Sequence, residues 1–181
     1  GALGLHPGRL ADIALARWSP SVIGCAGVTA VQGFMGTYPV WGYLWKGGAG
    51  PEAAVIDTAH DPSRMLGVAA KAGLRIVAIC LTHGHPDHRG GLEALTREVG
   101  ARARVYAHPL NDGAEIQVGE GHLRVAATPG HTPDSVAYLA DGVAFVGDAL
   151  FAGSLGRSAP GRYDEHRRVV REKILGLPPG T

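Results

Sequence analysis

The chain has 181 residues, of which 45% are hydrophobic and 18% are charged, and this composition favours one packed domain and excludes a disordered chain. Its 17 basic and 16 acidic residues leave a formal net charge of +1, which argues against a surface for nucleic acid or for an anionic membrane. Two cysteines are too few for a disulfide-rich secreted scaffold, and no stretch approaches the ~20 apolar residues of a membrane span. Since no secretory signal is evident, we expect a cytoplasmic protein.

The first half of the chain alternates between apolar strands and helices with recognisable ends. Residues 1–26 carry a weak helical pattern and are interpreted as an N-terminal arm. Strands are predicted at 28–34, 40–45, 53–57 and 75–81. A helix is predicted between Asp61, as its N-cap, and Gly73, as its stop, and a further helix is predicted at about 90–99.

Short strands dominate the second half. They are predicted at 104–107, 114–118, 123–127, 136–139 and 143–146. A hairpin is predicted at Asp141-Gly142, and the last helix is predicted at 164–175 with Asp164 as its N-cap. This order of elements predicts a single domain at 27–181, in which two sheets pack face to face with helices outside. The loops that follow the strands would then meet at one rim.

The run Thr82–His88 contains three histidines and an aspartate within six positions, directly after a buried strand. A glycine and a proline inside the run favour a loop over a helix. The side chains of His83 and His85, two residues apart in an extended loop, would point to one side. Asp87 and His88 would lie at the bend into the next helix and point elsewhere. Imidazole and carboxylate ligands suit zinc, iron or manganese, so the run predicts a loop that serves two adjacent metal ions.

Two later segments place further ligand types after strands. His131 lies between a Pro-Gly pair and a Thr-Pro pair, which favour a tight turn. Together with His83 and His85 it would form a three-imidazole site that leaves a position open for water, as in catalytic zinc sites. Asp148 follows an apolar strand, and its carboxylate is interpreted as a bridge between two cations.

Taken together, these segments resemble the metallo-β-lactamase fold superfamily, and within it the glyoxalase II-like branch of hydroxyacylglutathione hydrolases. The resemblance covers about residues 28–181 and is most specific at the histidine-rich run, at 128–135 and at 147–157. It implies an α+β fold, an αββα sandwich of two mixed β-sheets with helices on the outer faces. It also implies that two divalent ions are bound, with zinc expected first and iron or manganese as alternatives.

The resemblance also implies a role for each candidate site residue. His83, His85 and His131 would hold the first metal ion. Asp87 and His88 would hold the second, and Asp148 would bridge the two, which makes these three the candidate catalytic residues. Arg157 stands where the branch places a basic residue against the glutathione moiety, and would bind a substrate carboxylate.

The ligand charges and the leaving group indicate the reaction. Two divalent cations can make hydroxide available near neutral pH. The six protein ligands carry two negative charges, so the loaded site would remain cationic and suit an anionic small-molecule substrate. A thiolate, with a parent pKa of ~8.5, can leave without a proton donor, whereas an amide nitrogen generally needs one. The sequence therefore predicts a metal-dependent hydrolase of thioesters.

The chain departs from the family pattern at its C-terminal end. The superfamily usually supplies one more histidine in a Gly-His-Gly-like segment, and this chain ends at Thr181, so it is expected to lack that last segment. His6 in the N-terminal arm is considered as a substitute, and His166 is expected to be solvated. Ala159 stands where the branch has a tyrosine, and the branch's C-terminal helical domain is expected to be missing as well, so the sequence does not predict specificity for glutathione.

Three other functions remain compatible with these motifs. Persulfide dioxygenases also resemble the chain and use one iron ion, for which His83, His131 and Asp148 would be the ligands. Their Cys-Gly-Arg-Thr-Asp run is replaced here by Leu155–Ala159, which argues against this function. A β-lactamase or lactonase on the same scaffold is the second alternative, and a protein that holds metal ions without catalysis is the third. The N-terminal arm is compatible with a homodimer.

Overall fold

Two β-sheets pack face to face, with helices on both outer sides. The structure is a computed structural model that describes Cys25 and residues 27–181, so most of the predicted N-terminal arm, including His6, lies outside the described residues. None of the helices in this part of the chain is long and apolar enough to cross a membrane. The predicted αββα sandwich is confirmed.

The first sheet contains five strands in the order of the sequence. They are β1 (Val28–Met35), β2 (Tyr38–Lys46), β3 (Glu52–Ile56), β4 (Arg75–Cys80) and β5 (Arg104–Tyr106). The first three strands pair antiparallel, whereas β3, β4 and β5 pair parallel. Parallel neighbours need crossover connections, and these contain α1 (Pro62–Lys71) between β3 and β4, and then α2 (Pro86–Arg89) and α3 (Leu92–Val99).

The second sheet contains four strands, β6 (Glu115–Val118), β7 (Gly121–Ala127), β8 (Val136–Ala140) and β9 (Val143–Phe145). All of its pairs are antiparallel, so the expectation of two mixed sheets holds for the first sheet alone. The cause is the length of the connections, since short links such as the predicted hairpin turn at Asp141-Gly142 join antiparallel neighbours. A two-stranded ribbon follows, β10 (Leu150–Phe151) with β11 (Ser154–Leu155), and then α4 (Tyr163–Lys173).

The main core lies between the two sheets. Inward-facing side chains such as Trp45, Ile56, Leu123 and Tyr138 form one buried cluster there. A second cluster lies between the first sheet and helices α1 and α3, and smaller clusters join the second sheet and the segment after it to α4 and the C-terminal residues. Cys80 is buried in the main core, as predicted, and burial raises the pKa of its thiol.

Three helix predictions differ in their outcome. Asp61 caps α1 as predicted, because its Oδ1 accepts the Arg64 N–H at 2.9 Å. The helix predicted at about 90–99 is present as α3, which begins at Leu92, and a single helical turn that was not predicted, α2, precedes it. The prediction that Asp164 caps the last helix is wrong, because α4 has Arg162 at its N-cap and Asp164 in its first turn.

Candidate metal centre

The residues predicted to bind metal lie at the ends of strands from both sheets. Strand β4 leads into the run Thr82–His88, and the connection from β7 to β8 carries His131. Strand β9 leads through a short 3₁₀ turn that contains Asp148. A backbone hydrogen bond from the Val136 N–H to the Thr82 carbonyl, 2.9 Å long, joins the two sheets at this rim. The two-sheet packing therefore brings together segments that are distant in sequence.

Three of the histidines form a tight group. Nε2 of His83 lies 3.0 Å from Nδ1 of His85, and Nε2 of His131 lies 2.9 Å from the same Nδ1 atom. Each residue offers one ring nitrogen to a common point, and these nitrogens lie within 4.8 Å of one another. Burial, helped by the neighbouring His88, lowers the pKa of His83 to about 3, so this ring is neutral at pH 7 and offers a lone pair.

A second group shares His83 with the first. It consists of His83, His88 and Asp148, whose ligand atoms also lie within 4.8 Å of one another. Oδ1 of Asp148 lies 3.2 Å from Nε2 of His88, and Oδ2 of Asp148 lies 3.5 Å from Nε2 of His131. The carboxylate of Asp148 therefore faces both groups, which is the position required of a bridging ligand.

Asp87 is less closely placed than the other predicted ligands. Its Oδ2 lies 3.6 Å from Nε2 of His88, and among the described residues it belongs to neither of the two three-ligand groups. Asp87 is in the first turn of α2, which directs it to the outer side of His88. The structure thus brings the six predicted ligands into one region, with Asp87 at its edge.

The outer ring nitrogens of three histidines are held by hydrogen bonds. His88 Nδ1–H donates to Oδ2 of Asp57 at 2.9 Å, and His131 Nδ1–H donates to the backbone carbonyl of Arg157 at 2.7 Å. The Thr82 hydroxyl donates to Asp57 at 2.8 Å and so accepts from His83 Nδ1–H at 3.1 Å. These partners engage Nδ1 of each ring and direct Nε2 toward the ligand groups. The same arrangement is usual around metal-bound histidines.

Asp57 is a functional residue that the sequence analysis missed. Its carboxylate accepts the Thr82 N–H and the Thr82 hydroxyl, each at 2.8 Å, as well as the His88 ring N–H. Its backbone lies in the left-handed region, with φ 56°, a conformation that is costly for a non-glycine residue and that clusters at functional sites. The signal was present, because Asp57 directly follows an apolar strand, as Asp148 does.

The carboxylates around His88 control its charge. Burial lowers the pKa of His88, but hydrogen bonds to Asp148 and Asp57 outweigh burial and raise it to about 10. The proton on Nε2 therefore occupies the point between His88 and Asp148. Metal ions compete with protons for such ligands. A cation bound between His88 and Asp148 would therefore displace this proton and would be held by the same two residues.

Two glycines allow the ligand segments to approach their neighbours. Gly147 has φ 50°, and a Cβ there would lie 2.5 Å from Oγ1 of Thr82. Gly130 has φ 149°, and a Cβ there would lie 2.3 Å from Cβ of His166. These close contacts hold the Asp148 segment against the histidine-rich loop and the His131 turn against α4.

The expectation that His166 is solvated is wrong. The residue is 0% exposed, because α4 presses its inner face against the His131 turn and the segment after β9. Its Nε2–H donates to the Ala149 carbonyl at 3.0 Å, and its Nδ1 accepts from the Ser158 hydroxyl at 2.9 Å. Both ring nitrogens are thus engaged away from the metal-ligand groups.

The segment 156–159 touches the cluster through its backbone. The Arg157 carbonyl accepts from the His131 ring. The Ala159 N–H donates to the Gly130 carbonyl at 2.7 Å. The side chain of Arg157 is exposed, and it stands on the His131 side of the ligand groups. A substrate-binding role for its guanidinium remains a prediction.

The donor set fits divalent cations. Four imidazoles and the Asp148 carboxylate converge, with Asp87 at their edge, and hydrogen bonds hold the outer nitrogens of three of the rings. Such mixed nitrogen and oxygen sets suit zinc, iron or manganese, and three imidazoles with an open side are typical of a catalytic rather than a closed structural zinc site.

Comparisons with known proteins agree with this geometry. A family model described as "Metallo-beta-lactamase superfamily" matches residues 39–113 and 99–181. The hydroxyacylglutathione hydrolase of Shewanella pealeana is 31% identical over 170 residues, which cover 85% of this chain and 63% of that protein. The protein of the same name from Anaeromyxobacter dehalogenans is 38% identical over 145 residues, covering 74% of this chain and 54% of that protein. The chain thus spans little more than half the length of the curated relatives it matches.

The chain also superposes on solved structures of proteins that carry several different names. A B3 metallo-beta-lactamase called BLEG-1 superposes with a TM-score of 0.73 at 25% identity, covering 83% of this chain and 87% of that one. ETHE1 from Myxococcus xanthus superposes with a TM-score of 0.69 at 28% identity, covering 84% and 72%. TTHA1623 in a di-iron-bound form superposes with a TM-score of 0.66 at 28% identity, covering 80% and 85%.

Proposed function

Since the chain belongs to the metallo-β-lactamase superfamily, in its glyoxalase II-like branch, we propose that it is a metal-dependent hydrolase that cleaves thioesters. The observation that supports this most directly is the pair of three-ligand groups that share His83. The relatives named hydroxyacylglutathione hydrolase add support for a thioester, because that name describes one.

The site residues would divide between two positions. His83, His85 and His131 would hold one cation, and His88 and Asp87 a second, with Asp148 facing both. A divalent cation bound there supplies Lewis acidity and lowers the pKa of a coordinated water, to ~7 in the case of zinc. Zinc is proposed first, with iron or manganese as alternatives.

The chain's own groups orient the reactants. Asp148 is partly exposed and faces both ligand groups, so its carboxylate can accept a hydrogen bond from the attacking water and direct the lone pair of that water. Asp57 and Thr82 hold the His88 and His83 rings in one tautomer, which keeps the site geometry unchanged during turnover. The rim is open to solvent at His85, which gives a small-molecule substrate access.

The bond changes in the proposed reaction balance without a further reactant. The oxygen of water forms a bond to the acyl carbon, and the C–S bond breaks with its electron pair leaving on sulfur. The products are a carboxylate, a thiol and one released proton; the water supplies the new acyl oxygen, the proton of the thiol and the proton that passes to solvent. A thiolate leaves readily at neutral pH, so the reaction needs no proton donor for the leaving group.

Metal analysis combined with a substrate panel tests this function. We expect S-lactoylglutathione or a related thioester to be hydrolysed, and nitrocefin and an acyl-homoserine lactone to be poor substrates. His85→Ala, which removes an exposed ligand without disturbing the core, should lower kcat/KM by at least about a hundredfold together with bound metal. Turnover of nitrocefin alone would refute the thioester proposal.

A second candidate is a persulfide dioxygenase with one iron ion. It is supported by the likeness to ETHE1 and by the 3.5 Å approach of His131 to Asp148, two of the ligands it would use. Protein purified without oxygen would distinguish the candidates. One iron per chain, together with oxygen uptake on glutathione persulfide, would replace the hydrolase proposal.

A further inference from the structure

A cavity of about 610 Å³ opens beside the metal-ligand groups on the side of His88 and Asp148. One wall is the β1–β2 hairpin, and the other consists of β9 and the start of the β10–β11 ribbon. Its volume lies within the range of small-molecule binding sites, which is ~300–1,000 Å³. We call it the aromatic cavity, after Tyr38, Trp41, Tyr43, Phe145 and Phe151, which line it.

The aromatic cavity is polar at one end and apolar elsewhere. Its carboxylate and imidazole lining residues are Asp57, Asp87, His88 and Asp148, all of which belong to the candidate metal centre or support it. Of the described residues that line the cavity, none is a lysine or an arginine. The remainder of the surface is aromatic and aliphatic, so the part of the cavity away from the metal-ligand groups suits an apolar substrate group.

The exposure of the aromatic side chains indicates a ligand surface. Tyr38 is 64% exposed, Trp41 is 48% exposed and Phe151 is 49% exposed. Large apolar side chains that are gathered around a concave surface commonly mark a binding site, whereas isolated ones do not. Two hairpins distant in sequence direct these rings toward one space, which distinguishes them from scattered surface residues.

The register of β2 explains how this wall forms. Side chains alternate along the strand, and Leu44 is buried on the side of the helices. Trp41, Tyr43 and Trp45 share the opposite side, where Trp45 is buried between the sheets and Tyr43 packs on Phe145 with ring centroids 5.6 Å apart. Trp41, nearer the hairpin tip, extends beyond this core and forms the cavity wall.

The position of Arg157 separates two sides of the site. Its carbonyl binds His131, so the arginine lies on the His131 side and does not line the aromatic cavity. A thioester whose carbonyl lies at the metal-ligand groups would therefore extend one substituent into the cavity and the other toward Arg157.

We propose that the aromatic cavity binds the acyl group of the substrate, and that this group is an apolar chain of several carbons rather than a short hydroxyacyl group. The inference rests on the proposed thioester hydrolysis and names the substrate class for it. The thiol part would lie on the Arg157 side. The lining supports this orientation, since the cavity wall away from the metal-ligand groups is aromatic and aliphatic and suits an acyl chain without charge.

Glutathione thioesters that differ in their acyl group alone test the inference. Each buried methylene contributes about three- to fourfold in binding to the transition state. We therefore expect kcat/KM for S-hexanoylglutathione to exceed that for S-acetylglutathione by roughly a hundredfold, with S-lactoylglutathione close to the acetyl compound.

Variants of the cavity wall provide the structural control. Trp41→Ala and Phe151→Ala, from separate hairpins, should each lower the hexanoyl-to-acetyl ratio of kcat/KM about five- to tenfold. Phe34→Ala is the matched control, because Phe34 is 50% exposed on the same hairpin as Trp41 but does not line the cavity. It should leave the ratio and the activity unchanged.

A binding measurement that needs no turnover completes the test. S-hexylglutathione should bind more tightly than S-methylglutathione in an equilibrium titration, and Trp41→Ala should reduce the difference. Equal kcat/KM for the acetyl and hexanoyl thioesters would overturn the inference and leave the hydrolase proposal intact, whereas no hydrolysis of any thioester would overturn both. A change in oligomeric state in Trp41→Ala with an unchanged ratio would assign these rings to contacts between copies and also overturn the inference.

Discussion

Asp57 connects the end of β3 to both ends of the histidine-rich run Thr82–His88. It is buried at the end of β3 and accepts three hydrogen bonds, two from Thr82 and one from the His88 ring. The Thr82 hydroxyl, which donates to Asp57, also accepts from the His83 ring, so Asp57 positions that ring indirectly. One carboxylate thus determines which nitrogen of His83 and of His88 is free, although Asp57 itself lies outside the two ligand groups.

Asp57→Ala should lower metal affinity about ten- to a hundredfold, because the His88 ring loses its acceptor and the hydrogen bonds that position Thr82 disappear. Competition with a chromogenic chelator measures the affinity. Asp141→Ala, which removes an exposed carboxylate from the β8–β9 turn, is the control and should have no effect. Equal affinities for the wild type and Asp57→Ala would show that the outer hydrogen bonds do not matter for binding.

His166 holds three segments together around a buried ring. It binds the Ala149 carbonyl and the Ser158 hydroxyl and contacts the Gly130 backbone. Burial lowers the pKa of His166, and the hydrogen bond to the Ala149 carbonyl opposes that shift without reversing it. The folded protein therefore prefers the neutral ring more strongly than the unfolded chain does.

His166→Leu should destabilise the protein by about 2 kcal/mol near pH 7.5, because the buried Ala149 carbonyl loses its donor. A lowered pKa means that the unfolded chain takes up the proton first, so the stability contributed by His166 is present above about pH 6.5 and is lost as the pH falls further. Leucine does not titrate, so the difference between the two proteins should shrink between pH 7.5 and 5.5.

Urea unfolding in the presence of a chelator measures this difference at both pH values. The exposed His122 offers a control, since His122→Leu should change stability little at either pH. A destabilisation by His166→Leu that is constant between the two pH values would contradict the assignment of His166 as a neutral buried ring.

Helices α1 and α4 begin in different ways, although an aspartate stands near the start of both. Asp61 satisfies the backbone N–H of Arg64, one of the donors that a helix leaves without a partner at its N-terminus. Asp164 lies one position inside α4 and makes no such bond, because the N-cap is Arg162. A carboxylate in the first turn still interacts favourably with the helix dipole, but more weakly than a cap does.

Asp61→Ala should therefore cost about 1 kcal/mol of stability, while Asp164→Ala should cost clearly less. Thermal and urea unfolding of the two variants, measured side by side, test the difference between a cap and a first-turn charge. Equal destabilisation would mean that the two aspartates act alike and that the cap bond of Asp61 contributes little.

The two sheets are tied together close to the candidate metal centre. Tyr138 of β8 is buried in the core between the sheets, and its hydroxyl donates to the Leu81 carbonyl at 2.7 Å. Leu81 directly precedes the histidine-rich loop. The packing of one sheet on the other therefore also positions the segment that carries most of the candidate ligands.

Tyr138→Phe should destabilise the protein by about 1–2 kcal/mol, since it removes the hydroxyl and leaves the Leu81 carbonyl without that donor. Tyr138→Ala should cost about 3–5 kcal/mol, because it also leaves a cavity between the sheets. The free energies of unfolding of the wild type, Tyr138→Phe and Tyr138→Ala, measured by chemical denaturation, separate the contribution of the hydrogen bond from that of the packing. If Tyr138→Phe were as stable as the wild type, the tie at Leu81 would contribute nothing to stability.

The sequence was sufficient to predict the order of the strands and helices and the residue types of the candidate ligands. Strands, caps and turns follow from local patterns such as the alternation in β2, the Asp61 cap and the Asp141-Gly142 turn. The histidine-rich run is also local, since Gly84 and Pro86 force the backbone to turn wherever it lies. The αββα fold could be predicted because these local patterns agree with one another.

Other features depend on which distant residues meet when the two sheets pack. His85 and His131 are separated by 46 positions, and no local pattern specifies which ring nitrogens face each other. The role of Asp57 and the burial of His166 likewise arise from contacts between separate elements. The aromatic cavity depends on strand register and on where the second sheet ends beneath β2. Local propensity acts over a few residues, whereas a cavity is formed by packing, and for that reason the aromatic cavity became visible in the folded chain alone.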